Sequence, residues 1–111
     1  MTSFSLGEFE SVQVWRSSHR EFWRGAEVED VELSALERFV SFCEADPDQI
    51  IGEVLQPEAG SDKVMLKTRA RRKYIQLIDD FETAEKSRRV GNGVRSFMIH
   101  NGVAMNPSIL R

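Results

Sequence analysis

The chain has 111 residues, of which 41% are hydrophobic and 30% charged, with a formal net charge of −3. This size and composition are typical of a single globular domain and exclude a disordered chain. No apolar run approaches the roughly 18 residues of a membrane span, no secretory signal is evident, and the single cysteine, Cys43, excludes an internal disulfide. We expect a cytoplasmic protein.

Helical periodicity begins near the N-terminus and predicts a first helix over about residues 6–24. Ser5 and Glu8 have the spacing of a capping box, and Gly25 is a typical stop. The apolar face of this helix recurs at intervals of three and four residues: Phe9, Val12, Trp15, His19, Phe22 and Trp23.

Two further helices are predicted before residue 56. The second carries a stripe of Leu36, Phe39, Val40 and Cys43. The third begins at Asp46-Pro47, since Asp is a good N-cap, Pro is favoured at the first helical position, and Gln49 completes a capping box. Its apolar side is Ile50, Ile51, Val54 and Leu55, and residues 56–60 form a loop.

The second half of the chain predicts two more helices. The fourth is capped by Ser61 and has a stripe of Leu66, Ala70, Tyr74, Leu77, Ile78 and Phe81. The fifth runs from about Ser87 to Asn101, with Val90, Val94, Phe97 and Met98 inward, and ends at a left-handed Asn101-Gly102 cap. No alternating strand pattern is evident, so we predict an all-α fold: a compact bundle of four to five helices.

The charge of the chain changes sign near its midpoint. Residues 1–60 carry a net charge of −9, whereas residues 61–111 carry +6. An asymmetry of this kind favours a charged partner on one face, and a basic half makes nucleic acid the leading candidate.

The last helix gives the sharpest local signal. Its predicted outer side presents residue types that contact phosphates and base edges, namely Lys86, Ser87, Arg88, Arg89, Asn92, Arg95 and Ser96. Two glycines, Gly91 and Gly93, lie within the helical pattern at a cost of roughly 1 kcal/mol each. We expect them where a neighbouring helix or a DNA strand approaches the backbone closely.

A second cationic set lies on the fourth helix, outside its apolar stripe: Lys63, Lys67, Arg71 and Arg72. Tyr74 stands among these cations, and a tyrosine in such surroundings is either a nucleophile activated by the cations or a core residue. Because Tyr74 shares the apolar stripe, we interpret it as a core residue.

No constellation typical of catalysis, metal binding or a cofactor is evident in the sequence. His19 is interpreted as a core-edge residue of the first helix, and His100 lies near a helix C-terminus, where the dipole favours an imidazolium. Two distant histidines and one cysteine do not have the spacing of a metal site. We therefore predict no catalytic residues, no metal and no cofactor.

Several segments together resemble the N-terminal core-binding domain of tyrosine recombinases, the phage-integrase family. The matching stretches are residues 36–43 (LERFVSFC), 46–51 (DPDQII), 88–97 (RRVGNGVRSF), 100–103 (HNGV) and Asn106-Pro107, with Trp15 similar to a tryptophan of archaeal members. The family often has a threonine and then a tyrosine upstream of the first stretch, where this chain has Val28 and Glu32.

The resemblance implies a SAM-like helical domain over residues 1–107, with 108–111 beginning a linker to a C-terminal catalytic domain that would complete a clamp around double-stranded DNA. It implies a prokaryotic, nucleoid-associated protein that assembles as a homo-oligomer on DNA, and whose strand breakage and rejoining reside outside this chain. DNA contact is carried onto Lys86, Ser87, Arg88, Arg89, Asn92 and Arg95, and onto Lys63, Lys67, Arg71 and Arg72. Arg88, Arg89 and Arg95 would bind phosphates, and Asn92 a base edge.

Two alternatives stay open at this point. The same charge polarity would allow a protein-interaction bundle to self-associate, with the acidic face of one copy against the basic face of the next. An enzyme is the third and weakest reading, because no catalytic set is evident.

Overall fold

The fold consists of five helices and a small β-hairpin. A computed structural model describes residues 6–57, 60 and 63–105. After a 3-10 turn (Leu6–Glu8), the elements are α1 (Glu10–Phe22), α2 (Asp30–Cys43), α3 (Pro47–Val54), β1 (Leu55–Pro57), β2 (Val64–Leu66), α4 (Thr68–Glu85) and α5 (Arg88–His100). The predicted all-α bundle is confirmed. No helix within the described ranges has the length and apolarity needed to cross a bilayer.

Helix α5 is the central element, because it packs against α1, α2 and α4. Val94, Phe97 and Met98 on α5 are fully buried, as the predicted register requires. Around them lie the largest buried side chains of the other helices: Trp15, Leu36, Phe39, Ile50, Tyr74, Ile78 and Phe81. A single apolar core therefore surrounds the last helix on several sides.

The two glycines of α5 mark close helix–helix approaches. A Cβ at Gly93 would lie 3.3 Å from the backbone Cα of Glu32 on α2, and one at Gly91 would lie 2.5 Å from the Glu82 carboxylate on α4. The neighbouring-helix explanation thus accounts for both glycines.

The predicted helix boundaries of α3 and α5 rest on local hydrogen bonds. Asp46 and Gln49 form the reciprocal capping box at the start of α3. At the end of α5, Gly102 has φ 95°, Gly102 N–H donates to Ile99 O (2.9 Å) and Val103 N–H donates to Met98 O (2.9 Å). This is a Schellman motif, and Val103 supplies its buried apolar contact.

The start of the fourth helix was predicted wrongly. Residues 64–66 are not helical but form β2, which pairs antiparallel with β1 in the register Leu55↔Leu66. Leu66 is exposed rather than part of the α4 stripe. Strands of three residues are too short to show an alternating pattern, so the hairpin had no periodic signal. The proposed Ser61 cap lies outside the described residues.

The first helix also differs from its prediction. It begins at Glu10 after the 3-10 turn, and Phe22 and Trp23 are 69% and 57% exposed instead of continuing the buried stripe. The core contacted by α1 ends near Trp15, so the last turn of the helix extends beyond it. Ser5, the other half of the expected capping box, lies outside the described residues.

The glycine packing predicts opposite effects for two substitutions. Gly52 on α3 has open space around its Cβ position, so Gly52→Ala should raise the free energy of unfolding by about 0.5–1 kcal/mol. Gly93→Ala should lower it by about 1–2 kcal/mol, because the α2 backbone must shift. Urea denaturation of both variants checks this, and stabilisation by Gly93→Ala would contradict the close approach.

Candidate nucleic-acid interface

The structure removes Arg95 from the predicted set of DNA contacts. Its side chain is 5% exposed and forms ion pairs with Asp79 (2.9 Å) and Glu82 (2.9 Å) of α4. Its guanidinium therefore joins α4 and α5, and the prediction that Arg95 lies on the solvent-exposed side of α5 is wrong. The position lies on the α4 side of α5, which the sequence pattern had assigned to solvent.

Asn92 is coupled to the same cluster. Its side-chain oxygen accepts a hydrogen bond from Arg95 Nη1 (2.8 Å), and the residue is half-buried. An amide held in this way has a fixed orientation, so Asn92 is a less adaptable base-edge contact than the sequence suggested.

The N-terminal end of α5 keeps the other predicted residues together. Ser87 is the N-cap, and its hydroxyl accepts from Val90 N–H. Lys86 and Arg88 are exposed, and neither has an ion-pair partner among the described residues. Arg89 bridges to Glu29 (2.7 Å), but both side chains are about two-thirds exposed, so a phosphate can replace this weak pair.

The N-terminal end of α4 forms a second cationic cluster. Arg72 is exposed and Lys67 half-buried, without an ion-pair partner in the described ranges, and exposed Arg69 adds a cation that the sequence analysis did not select. Arg71 is half-buried and its Nε donates to Ala104 O (2.9 Å), which restricts its reach. Lys63 is exposed beside β2.

These clusters lie at opposite ends of α4 and do not form one continuous patch. Helix α4 has 18 residues, which corresponds to about 27 Å at 1.5 Å per residue. The contacts of Arg71 with Ala104 and of Arg95 with Glu82 place α5 antiparallel to α4. Lys86–Arg89 and Lys67–Arg72 are therefore separated by roughly the length of the helix.

The positions of these cations oppose the helix macrodipoles. Neither α4 nor α5 has an acidic residue in its first turn, and both carry arginines there. A positive charge at a helix N-terminus is unfavourable by about 0.3–1 kcal/mol, whereas an anion bound there is favoured. Both helix ends therefore combine unpaired cations with the positive end of a dipole, an arrangement suited to phosphate.

Tyr74 is a core residue, as predicted. It is buried, its hydroxyl donates to Glu53 Oε2 (3.1 Å), and Lys73 pairs with Glu53 Oε1 (2.6 Å). Burial, followed by the negative charge of Glu53, raises the pKa of the Tyr74 phenol. A raised pKa disfavours the phenolate that nucleophilic attack would require.

A pocket that sequence reasoning missed lies between the end of α1 and the exposed side of α5. It has a volume of about 460 Å³ and is lined by Ser18, Phe22, Trp23, Asn92, Ser96, Ile99 and His100. Phe22 packs edge-on against Trp23, with ring centroids 5.0 Å apart, and against His100 at 6.1 Å. The signal in the sequence was the Phe22-Trp23 pair just before Gly25, which had been assigned to the core.

The ionisation of His100 follows from this environment. Its Nδ1 shares a hydrogen bond with Ser18 Oγ (2.8 Å), and burial, reinforced by the charge of His19, lowers the pKa of its imidazole. The lowered pKa is opposite in direction to the effect expected from the α5 dipole, and it disfavours the imidazolium form of His100.

Comparisons with known proteins add no identification. The chain matches no family model, no curated protein and no solved structure. Among the described residues, no group of three His, Cys, Asp or Glu side chains is arranged to hold a metal ion.

The contrast between Arg95 and Arg88 predicts different effects on stability. Arg95→Ala leaves Asp79 and Glu82 without their partner and should lower the free energy of unfolding by about 2–4 kcal/mol, near the range for a broken buried pair. Arg88→Ala should change it by no more than about 0.5 kcal/mol. Thermal melts of both variants check this. Equal losses of stability would contradict the difference in environment between the buried Arg95 and the exposed Arg88.

The lowered pKa of His100 predicts a pH-dependent stability. In the unfolded chain the imidazole titrates near about 6.5, so below that pH the unfolded state binds the extra proton first and folding stability falls as pH falls. Replacing the imidazole in His100→Gln should make the loss between pH 7.5 and 5.5 smaller. Urea denaturation at both pH values measures this loss, and an unchanged loss would contradict the lowered pKa of His100.

Proposed function

We propose that this chain is a non-catalytic module that binds double-stranded DNA through the cationic N-terminal ends of α4 and α5. The observation that carries this proposal is the placement of arginines in the first turns of α4 and α5, where the dipoles disfavour them, with Arg69 and Arg88 lacking an ion-pair partner among the described residues. Positions that lower helix stability are expected where a partner requires them. The described cations nearest to this role are Lys86, Arg88, Arg89, Lys67, Arg69 and Arg72.

The proposed role follows from the resemblance of the sequence to the core-binding domain of tyrosine recombinases. The all-α architecture is compatible with a SAM-like core-binding domain of a tyrosine recombinase, acting together with a catalytic domain on the same DNA in a prokaryotic cytoplasm. In that role the helical module would supply phosphate contacts and positioning, while bond breakage would belong to the partner domain. The corrected contact set excludes Arg95 and relies on phosphate contacts more than on base readout.

Whether one or both cationic clusters contact a duplex can be measured from the salt dependence of binding. A spacing of about 27 Å corresponds to roughly eight base pairs along a duplex. If one end alone contacts DNA, about three phosphates are neutralised, and the slope of log affinity against log salt is about −3. If both ends bind one duplex, about six are neutralised, and the slope is about −5.

Charge-neutralising variants test the proposal. Arg88→Gln/Arg89→Gln should weaken binding to a duplex of about 20 base pairs and reduce the salt slope by about two, because each lost phosphate contact removes roughly one unit. Arg69→Gln/Arg72→Gln should do the same if both ends engage. Fluorescence anisotropy titrations between 50 and 200 mM salt, roughly the range over which such binding changes most, measure both quantities.

The matched control removes the same charge from two cations outside the proposed contact set. Arg38 pairs with Glu85 and Lys73 with Glu53, so Arg38→Gln/Lys73→Gln should leave the salt slope unchanged. Circular dichroism confirms that each variant is folded. Equal losses of duplex affinity in the control and in Arg88→Gln/Arg89→Gln would show that the effect comes from net charge and not from these positions. Absence of duplex binding by the native chain would reject the proposal.

Self-association is a second candidate that one observation favours. Strand β2 exposes Val64, Met65 and Leu66, and its outer edge has no strand partner in the described structure. An exposed apolar edge is a template for pairing with another chain. Sedimentation distinguishes the candidates, because self-association without duplex affinity would favour this one; association that persists at high salt would implicate the apolar edge, whereas association lost at high salt would implicate the charge polarity.

A further inference from the structure

The aromatic pocket beside α5 has the lining of a site for a flat, uncharged ring. Phe22 and Trp23 are more than half exposed although they are large and apolar, and they surround the pocket together with His100 and Ile99. Its volume of about 460 Å³ lies within the range of pockets that hold small organic groups. Exposed aromatic side chains of this kind stack readily on planar rings.

The polar groups of the pocket further restrict the class of ligand that it could bind. They are the amide of Asn92, the hydroxyls of Ser18 and Ser96, and the imidazole of His100. No Asp, Glu, Lys or Arg is among the described lining residues, so the pocket offers a charged ligand no permanent countercharge. Hydroxyl, amide and imidazole groups around aromatic faces are instead the set that recognises the edge and face of a nucleobase.

The pocket is continuous with one of the proposed phosphate-binding ends. Arg88, Asn92, Ser96 and His100 follow one another at intervals of four residues on α5, so they share one ridge of the helix. Each interval corresponds to about 6 Å along the axis. A nucleotide strand that meets Arg88 and Arg89 with its phosphates can therefore place an adjacent base between the rings of Phe22 and Trp23 and the amide of Asn92.

The side chains of the pocket are held in place before any ligand binds. Trp15 Nε1 donates to Ser96 Oγ (3.1 Å), Ser18 Oγ is hydrogen-bonded to His100 Nδ1 (2.8 Å), and Asn92 accepts from Arg95. Preorganised polar groups reduce the ordering that binding requires. The rings at the rim are the parts left open to solvent.

We infer that this pocket accepts an unpaired nucleobase, either one extruded from a duplex or one in a single strand or free nucleotide. The inference rests on the proposed DNA-binding function for its phosphate contacts, but not for the pocket itself. It assigns to Trp23 and Phe22 a stacking role and to the outer face of α5 a nucleotide-binding role that reaches beyond phosphate contact.

The test compares a fully paired DNA duplex with the same duplex carrying one unpaired adenine. The native chain should bind the second duplex about 5- to 100-fold more tightly, the effect expected of one stacked base. Trp23→Leu should lose this preference while binding the paired duplex as the native chain does. Phe42→Leu is the matched control, since Phe42 is an exposed aromatic on α2 outside the pocket, and it should keep the preference.

A second arm uses adenosine monophosphate alone and follows tryptophan fluorescence. Stacking should quench Trp23, whereas the buried Trp15 should be unaffected, so Trp23→Leu should show no quenching. Quenching by the free nucleotide without a preference for the unpaired adenine identifies free nucleotides as the source of the base, and the reverse result identifies a strand. Either result supports a nucleobase pocket. If Trp23→Leu does not fold by circular dichroism, Phe22→Leu takes its place.

The outcomes separate this inference from the proposed function. Equal affinity for the two duplexes together with no quenching overturns the pocket assignment, while retained binding to the paired duplex leaves the DNA-binding proposal standing. Quenching by adenosine monophosphate without any duplex binding rejects the DNA-binding proposal and keeps the pocket. Self-association in sedimentation that Trp23→Leu abolishes, with no base preference, assigns the pocket to a protein partner and overturns the inference.

Discussion

The buried guanidinium of Arg95 is the interaction on which the arrangement of this protein depends. It is held by Asp79 and Glu82 and in turn orients Asn92. A buried charge is tolerated only when its hydrogen bonds are satisfied, so α4 must lie at a defined distance and rotation relative to α5. Gly91 permits that approach, since a side chain there would overlap Glu82. The direction of α4 then determines where both cationic helix ends lie.

The packing of α4 against α5 determines where the charges of the positive half lie in the structure. Within the positive half, Arg95 and Lys73 form ion pairs with carboxylates of the same chain. Six other described cations lie towards the two ends of α4: Lys67, Arg69, Arg72, Lys86, Arg88 and Arg89. The protein therefore offers an anionic partner two separated contacts instead of a continuous basic face. A long, regularly charged partner such as a duplex suits two separated contacts, whereas a small anion would engage one.

The sequence predicted most of the fold because its signals were local. Helical periodicity, the Asp46–Gln49 capping box and the Asn101-Gly102 end each depend on neighbours within a few residues. The errors arose where a distant partner decides the outcome. Arg95 looked like a surface cation because α4 carboxylates 13 and 16 residues away were not assigned to it. Phe22 and Trp23 looked like core residues because periodicity does not show where the core ends, and the hairpin was too short to alternate.

The N-terminus of α1 has a consequence for how the molecule assembles. Its N-cap, Phe9, provides no side-chain hydrogen bond. Instead Asp48, 37 residues away, accepts from Ser11 N–H (2.8 Å) and Oγ (2.6 Å), and Asn101 donates to Ser11 O (3.0 Å). The first turn of α1 is thus held by side chains that lie 37 and 90 residues away in the sequence. The pocket between α1 and α5 therefore depends on tertiary contacts, because the position of α1 is fixed by residues of α3 and of the end of α5 and not by a cap of its own.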